Sequence, residues 1–198
     1  MTQPMLYTKD LKNRFIIEEC MLFSVQAGLA TRNKNYPIYT REKTNYETHD
    51  KKYQWDNTSK LKYEVFDFLD NYLNEILTNG MNEPVHLSRI SDLADAISKM
   101  FKPVLHTQRF RIGVSQKIIN LFLKYMWSIN EIPQPLHCPI DGIVKSHIEK
   151  HFGKTKLVDW TQMDNIHDYM EYIHHINEIL KNSNESIAAW ELKTWGRK

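Results

Sequence analysis

Apolar residues recur at helical spacing through most of the chain and nowhere alternate over the length a strand would need. Leu11, Phe15, Ile16, Cys20, Phe23 and Ala27 share one face of a helix predicted over 9–30, with Gly28 as a stop near its end. Leu61, Val65, Phe68, Leu69, Tyr72, Leu73 and Ile76 define a second helix over 60–78, ended by Asn79-Gly80. Ser88 is placed to cap a third, 88–101, with Ile90, Leu93, Ile97 and Met100/Phe101 inward, before Pro103 closes it. The run Ile118–Trp127 belongs to an apolar helix over 115–129. Asp141 opens the next, which Gly153 stops, and Asp164 is placed to cap 165–181 through Ile166, Tyr169, Met170, Ile173, Ile176 and Leu180. Ile187, Trp190 and Leu192 mark a last helix over 184–195. The pattern predicts an all-α fold of about seven helices in one domain, 1–198.

Residues 31–59 break the pattern. Aliphatic residues almost vanish, and Arg32, Lys34, Arg41, Lys43, Lys51 and Lys52 interleave with Tyr36, Tyr39, Tyr46, Tyr53 and Trp55. A basic–aromatic insertion of this kind suits contact with phosphates and bases. Glu42, Glu47, Asp50 and Asp56 dilute its charge, and a polar surface loop whose tyrosines pack onto the body explains it as well.

Charge narrows the partners little. The net charge is +2 and the pI near 8.4, so a polyanion surface must come from clustering. Two cysteines, Cys20 and Cys138, exclude a disulfide framework. No apolar run approaches a membrane span, and Met1–Tyr7 lacks the basic head and apolar stretch of a signal peptide. A cytoplasmic protein is expected, associated with the nucleoid if it acts on DNA.

Two candidate reactive groups border the apolar helix: Lys117 at its start and Asp141 after it. A lysine in a first helical turn faces the positive end of the peptide dipoles, and partial desolvation would further favour its neutral, nucleophilic amine. An aspartate at a helix N-cap is held ionised by backbone N–H groups. Between them, the turn around Gly113 could present N–H groups to a phosphate. Arg109 and Arg111 would add charge there, and Ser115 and Gln116 hydrogen bonds.

Gly113-Val-Ser-Gln-Lys117, one apolar helix and then Pro139-Ile-Asp141 resemble the helix–hairpin–helix DNA glycosylases. Gln116-Lys-Ile-Ile-Asn-Leu-Phe-Leu-Lys-Tyr-Met126 is most similar to the archaeal 8-oxoguanine glycosylase branch, and Phe23-Ser-Val-Gln26 resembles its early helix. The resemblance implies a helix–hairpin–helix-like element and a double-stranded DNA partner carrying a modified base. It implies Lys117 as Schiff-base nucleophile at C1′, Asp141 as stabiliser of the oxocarbenium ion, and Gln26 as reader of the extruded base. It also implies a phosphate grip over 111–116, and no cofactor or metal. The second hairpin glycine of that family is Ser115 here, and 24 positions separate the lysine from the aspartate.

Other chemistries find less footing. His137, Cys138, His147 and His151 include one pair at i, i+4, but adjacent His137 and Cys138 rarely face one ion and no Cys-x-x-Cys occurs. Phosphate-loop, His-Glu-x-x-His and Gly-x-Ser-x-Gly patterns are absent. The rival class is a non-enzymatic helical module binding nucleic acid or protein through 31–59 and the Arg109–Lys117 turn.

Overall fold

The computed structural model describes residues 11–40 and 51–195, with the side chains of 51–56 excepted. Seven α-helices occupy most of these residues: α1 Leu11–Leu29, α2 Lys51–Asn79, α3 Glu83–Phe101, α4 Ile112–Ser128, α5 Gly142–Phe152, α6 Ile166–Leu180 and α7 Ile187–Thr194. The fold is all-α, and among the described residues the only extended pairing is an isolated bridge between Tyr39 and Leu105. No described helix is long and apolar enough to cross a membrane.

Helix α4 is the axis of the molecule. Ile118, Ile119, Phe122, Leu123 and Met126 are fully buried, because α1, α3 and α6 all pack on it. A helix covered this widely must be apolar on several sides, which is why its sequence reads as a continuous run. Helix α1 makes its broadest contact here. Gly28 does not stop α1: it lies inside the helix, and a Cβ there would overlap the side chain of Ile118.

Local chemistry sets several boundaries away from their expected places. Helix α3 begins at Glu83, not Ser88, because the Asn82 side chain accepts a hydrogen bond from Val85 N at 3.0 Å and Pro84 preorganises the first turn. Asn165, not Asp164, caps α6 by accepting from Asp168 N at 2.8 Å. Helix α2 starts at Lys51, so the end of the 31–59 insertion is helical. Residues 41–50 of the insertion lie outside the described residues, as do residues 1–10 and 196–198.

What is described of the insertion straps onto the body. His106 N donates to Ile38 O at 2.9 Å and Thr40 N to Val104 O at 3.0 Å. Ile38 is buried, Tyr36 and Tyr39 are half-buried, and Arg32 and Lys34 stay exposed. Burial pushes the Tyr39 hydroxyl up to about 12.

Behind α4 lies an aromatic polar layer. The Tyr72 hydroxyl and His86 Nδ1 are 3.0 Å apart, and the His86 and His137 rings meet edge to face at 5.2 Å. Burial first, and then the neighbouring His137, lower His86 from 6.5 to about 3. The unfolded chain therefore takes up a proton near pH 6.5 that folded His86 refuses until about pH 3. Stability present above the first value is lost as pH falls toward the second, at about 1.4 kcal/mol per pH unit. His137, also lowered by burial, acts in the same sense. Denaturant midpoints at about pH 7 and about pH 5 should show this loss, and His86→Gln should reduce it. A wild-type midpoint unchanged across that interval would contradict the account.

Candidate functional site

Helix α4 starts at Ile112, so Lys117 stands in its second turn and not its first. The dipole contribution expected for a helix-opening lysine is correspondingly weak, since the effect fades within the first turn. Burial acts instead. Lys117 is half-buried, and desolvation lowers the pKa of its amine while the nearby Asp141 carboxylate opposes the shift. Its Nζ sits 4.1 Å from the centroid of the Trp160 ring, a contact that holds the amine in place.

Asp141 is where its sequence put it. It caps α5, accepting from Ile143 N at 2.9 Å and Val144 N at 3.3 Å. The proline-rich link before it returns along α4, which brings the carboxylate into the field of Lys117.

The hairpin and phosphate grip expected over 111–116 are not formed. Residues 102–104 and 106–108 make two short 3-10 turns, and the predicted hairpin is the first turn and a half of α4. Its outward amides are already used. Gly113 N donates to Met163 O at 2.9 Å, and Ile112 N lies 3.4 Å from an Asp164 carboxylate oxygen. Asp164 thus serves α4, not the helix that follows it in sequence.

The side chains proposed to grip phosphate are engaged as well. Arg109 pairs with Asp95 and Asp164. Arg111 is buried and donates to Tyr36 O at 3.1 Å and Pro37 O at 2.9 Å. Ser115 and Gln116 are fully buried. Gln26, by contrast, is exposed on α1, with Phe23 one turn earlier and 53% exposed. The structure brings together Lys117, Asp141, Gln116 and Trp160, and leaves Arg109 and Arg111 in internal ion pairing and packing.

Gly113 is required by close approach. A Cβ there would overlap the backbone carbonyl of Trp160 and lie 3.1 Å from Met163 Cβ. Gly113→Ala should therefore destabilise the protein by about 1–3 kcal/mol despite alanine's better helix propensity. Gly142→Ala, with open space around it, should cost nothing in the same denaturation experiment. Equal midpoints for the two variants would refute the packing role.

A second charged pair went unread in the sequence. Lys124, at i+7 from Lys117, reaches Glu191 of α7 with Nζ 3.0 and 2.7 Å from its carboxylate oxygens, under the Trp195 ring at 4.6 Å. Burial raises Glu191, Lys124 lowers it, and Asp141 raises it further, so this carboxylate lies within the field of the candidate site. A lysine in an otherwise apolar helix was the available signal, since a buried charge requires a partner.

The zinc alternative is not assembled. Both His137 ring nitrogens are hydrogen-bonded, to the Tyr169 hydroxyl at 2.9 Å and Glu83 at 3.0 Å. Among the described residues no group of three or more His, Cys, Asp or Glu could hold a metal ion. An open groove of about 420 Å³ runs between 155–158 and α6, and neither Lys117 nor Asp141 lines it. Compared with known proteins, the chain matches no family model, no curated protein and no solved structure.

Proposed function

We propose that the protein is a DNA glycosylase acting on a modified base in duplex DNA, with Lys117 as a Schiff-base nucleophile. The observation that carries the reading is the half-buried Lys117 amine, lowered by desolvation beside a carboxylate fixed at a helix N-cap. A lowered amine carries a larger neutral fraction than an ordinary lysine, and the neutral amine is the form that can attack C1′. The N–C1′ bond forms as the glycosidic bond breaks, and that bond's electron pair leaves with the base, which takes up a proton. The secondary amine then loses a proton as the sugar ring opens to the imine. Removal of a 2′ proton expels the 3′ phosphate by β-elimination.

Asp141, fixed at its cap, suits stabilisation of the cationic sugar in the first step and acceptance of a proton in the later ones. Exposed Phe23 and Gln26, one turn apart on α1, offer a stacking face and a hydrogen-bonding edge to an extruded base. The substrate class this reading favours is an oxidised purine, on the residue resemblance alone.

The test is base release from a panel of modified-base duplexes, with borohydride trapping in parallel. A trapped complex lost in Lys117→Gln supports the reading. Release without trapping assigns the chemistry to Asp141 and water. Salt-sensitive DNA binding with neither signal overturns the enzyme in favour of a binding module.

A further inference from the structure

Gln116 lies between the two candidate reactive groups in an unusual way. It precedes Lys117 in α4, and its side-chain amide pairs with the backbone of Ile140, the residue before Asp141. Gln116 Nε2 donates to Ile140 O at 2.8 Å, and Ile140 N donates to Gln116 Oε1 at 3.0 Å. The same Nε2 also donates to Gly113 O at 2.9 Å, and Oε1 accepts from Asn120 Nδ2 at 3.3 Å. Two donors and two acceptors are matched at one amide, which fixes its orientation: reversing it would face N–H against N–H and carbonyl against carbonyl.

The pairing continues behind the site. Asn120 Nδ2 donates to the Tyr169 hydroxyl at 3.0 Å, and that hydroxyl meets His137 Nδ1 at 2.9 Å. His137 Nε2 reaches the half-exposed Glu83 carboxylate at 3.0 Å. With neutral His137 protonated on Nε2, the donors and acceptors along this line are consistent, while Asn120 Oδ1 has no hydrogen-bond partner. His137 donates to Glu83, Tyr169 donates to His137, and Asn120 donates to both Tyr169 and Gln116. Gln116, Asn120 and Tyr169 are fully buried, where an unmatched donor or acceptor costs about 1–3 kcal/mol. These contacts are directional, so the polar line fixes the position of the Ile140 backbone relative to α4.

We infer that Gln116 is a positioning residue that couples Lys117 to Asp141 through the Ile140 backbone, backed by Asn120, Tyr169 and His137. The inference deepens the glycosylase reading, and part of its test needs no DNA. Asp141 holds the Lys117 pKa up against desolvation, so moving Asp141 away lets that pKa fall. Glutamic acid at position 116 would face one carboxylate oxygen toward the Gly113 and Ile140 carbonyls, whereas methionine keeps the length and removes all four hydrogen bonds.

The experiment is an NMR pH titration of lysine side chains labelled with ¹³C, with Lys117 assigned from Lys117→Gln. Asp141→Asn should lower the Lys117 titration, Gln116→Met should lower it comparably, and the double variant should fall little further. Single-turnover base release by Gln116→Met should drop roughly 10²-fold, with affinity for an abasic-analogue duplex retained. Tyr169→Phe should move Lys117 in the same direction by less, and it decides the question if Gln116→Met does not fold. A Lys117 titration unmoved by either Gln116→Met or Tyr169→Phe overturns the inference, as does full additivity with Asp141→Asn. Coupled titrations in a protein that releases no base would uphold the positioning and defeat the glycosylase. Base release with an uncoupled Lys117 would do the reverse.

Discussion

Lys117→Gln is expected to abolish borohydride trapping and to slow base release by at least about 10³-fold, while leaving the fold intact. Glutamine is shorter than lysine and gives up the Nζ contact with Trp160, so an unchanged thermal midpoint beside the lost trapping would assign the loss to chemistry and not packing. Asp141→Asn is the complementary change. Asparagine caps a helix about as well as aspartate, so the α5 start should survive with little change in thermal midpoint. The missing charge should still cost about 10²- to 10⁴-fold in single-turnover rate.

The pH profile distinguishes the two roles. The rate should rise with pH as the Lys117 ammonium loses its proton, with a midpoint below the ordinary lysine value of 10.5 because burial disfavours the charged form. Asp141 raises that pKa, so Asp141→Asn should move the midpoint further down while lowering the plateau. A midpoint moving up, or a profile indifferent to Asp141, would mean that the carboxylate does not act on this amine.

The parts of this protein legible from its sequence are those where one face is buried. Leu61, Val65, Leu69, Leu73 and Ile76 repeat at helical spacing because α2 lays a single stripe on the core, and α6 behaves likewise. Helix ends were less legible. Asp164 and Asn165 are both good caps, and only the fold decides that Asp164 turns back to Ile112 while Asn165 serves α6. Gly28 and Gly113 read as punctuation, yet each is a point of close approach between distant segments. The same limit applies to Gln116. Its partners are backbone atoms, and a backbone carbonyl has no residue type by which a sequence could reveal it. Lys117 and Asp141 stand out in the sequence as candidates because their residue types suit the proposed chemistry, whereas the contact of Trp160 with the Lys117 amine has no sequence pattern to announce it.

Lys124→Met should destabilise the protein by about 3–5 kcal/mol at neutral pH, because it leaves the Glu191 carboxyl buried without its partner. The two side chains are only 9% and 4% exposed, so water cannot replace the lost ammonium. Methionine matches the lysine stem out to Cε and removes the Nζ that faces Glu191 and the Trp195 ring, which leaves the carboxyl without its partner. Removing both charges, in Lys124→Met/Glu191→Leu, should recover most of the loss, since an apolar pair of similar volume carries no desolvation penalty. A pH series adds a sign. Glu191 is already raised by burial and by Asp141, and without Lys124 it must rise further. A carboxyl whose folded pKa is raised gains stability as pH falls, so the deficit of Lys124→Met should shrink toward about pH 5. Denaturant midpoints for the four variants of this cycle provide the measurement. If the double variant is as unstable as Lys124→Met alone, the deficit comes from packing rather than from an unpaired carboxylate. If it recovers, the Lys124–Glu191 pair keeps a second negative charge neutralised close to Asp141, so that Asp141 is the carboxylate left to act on Lys117.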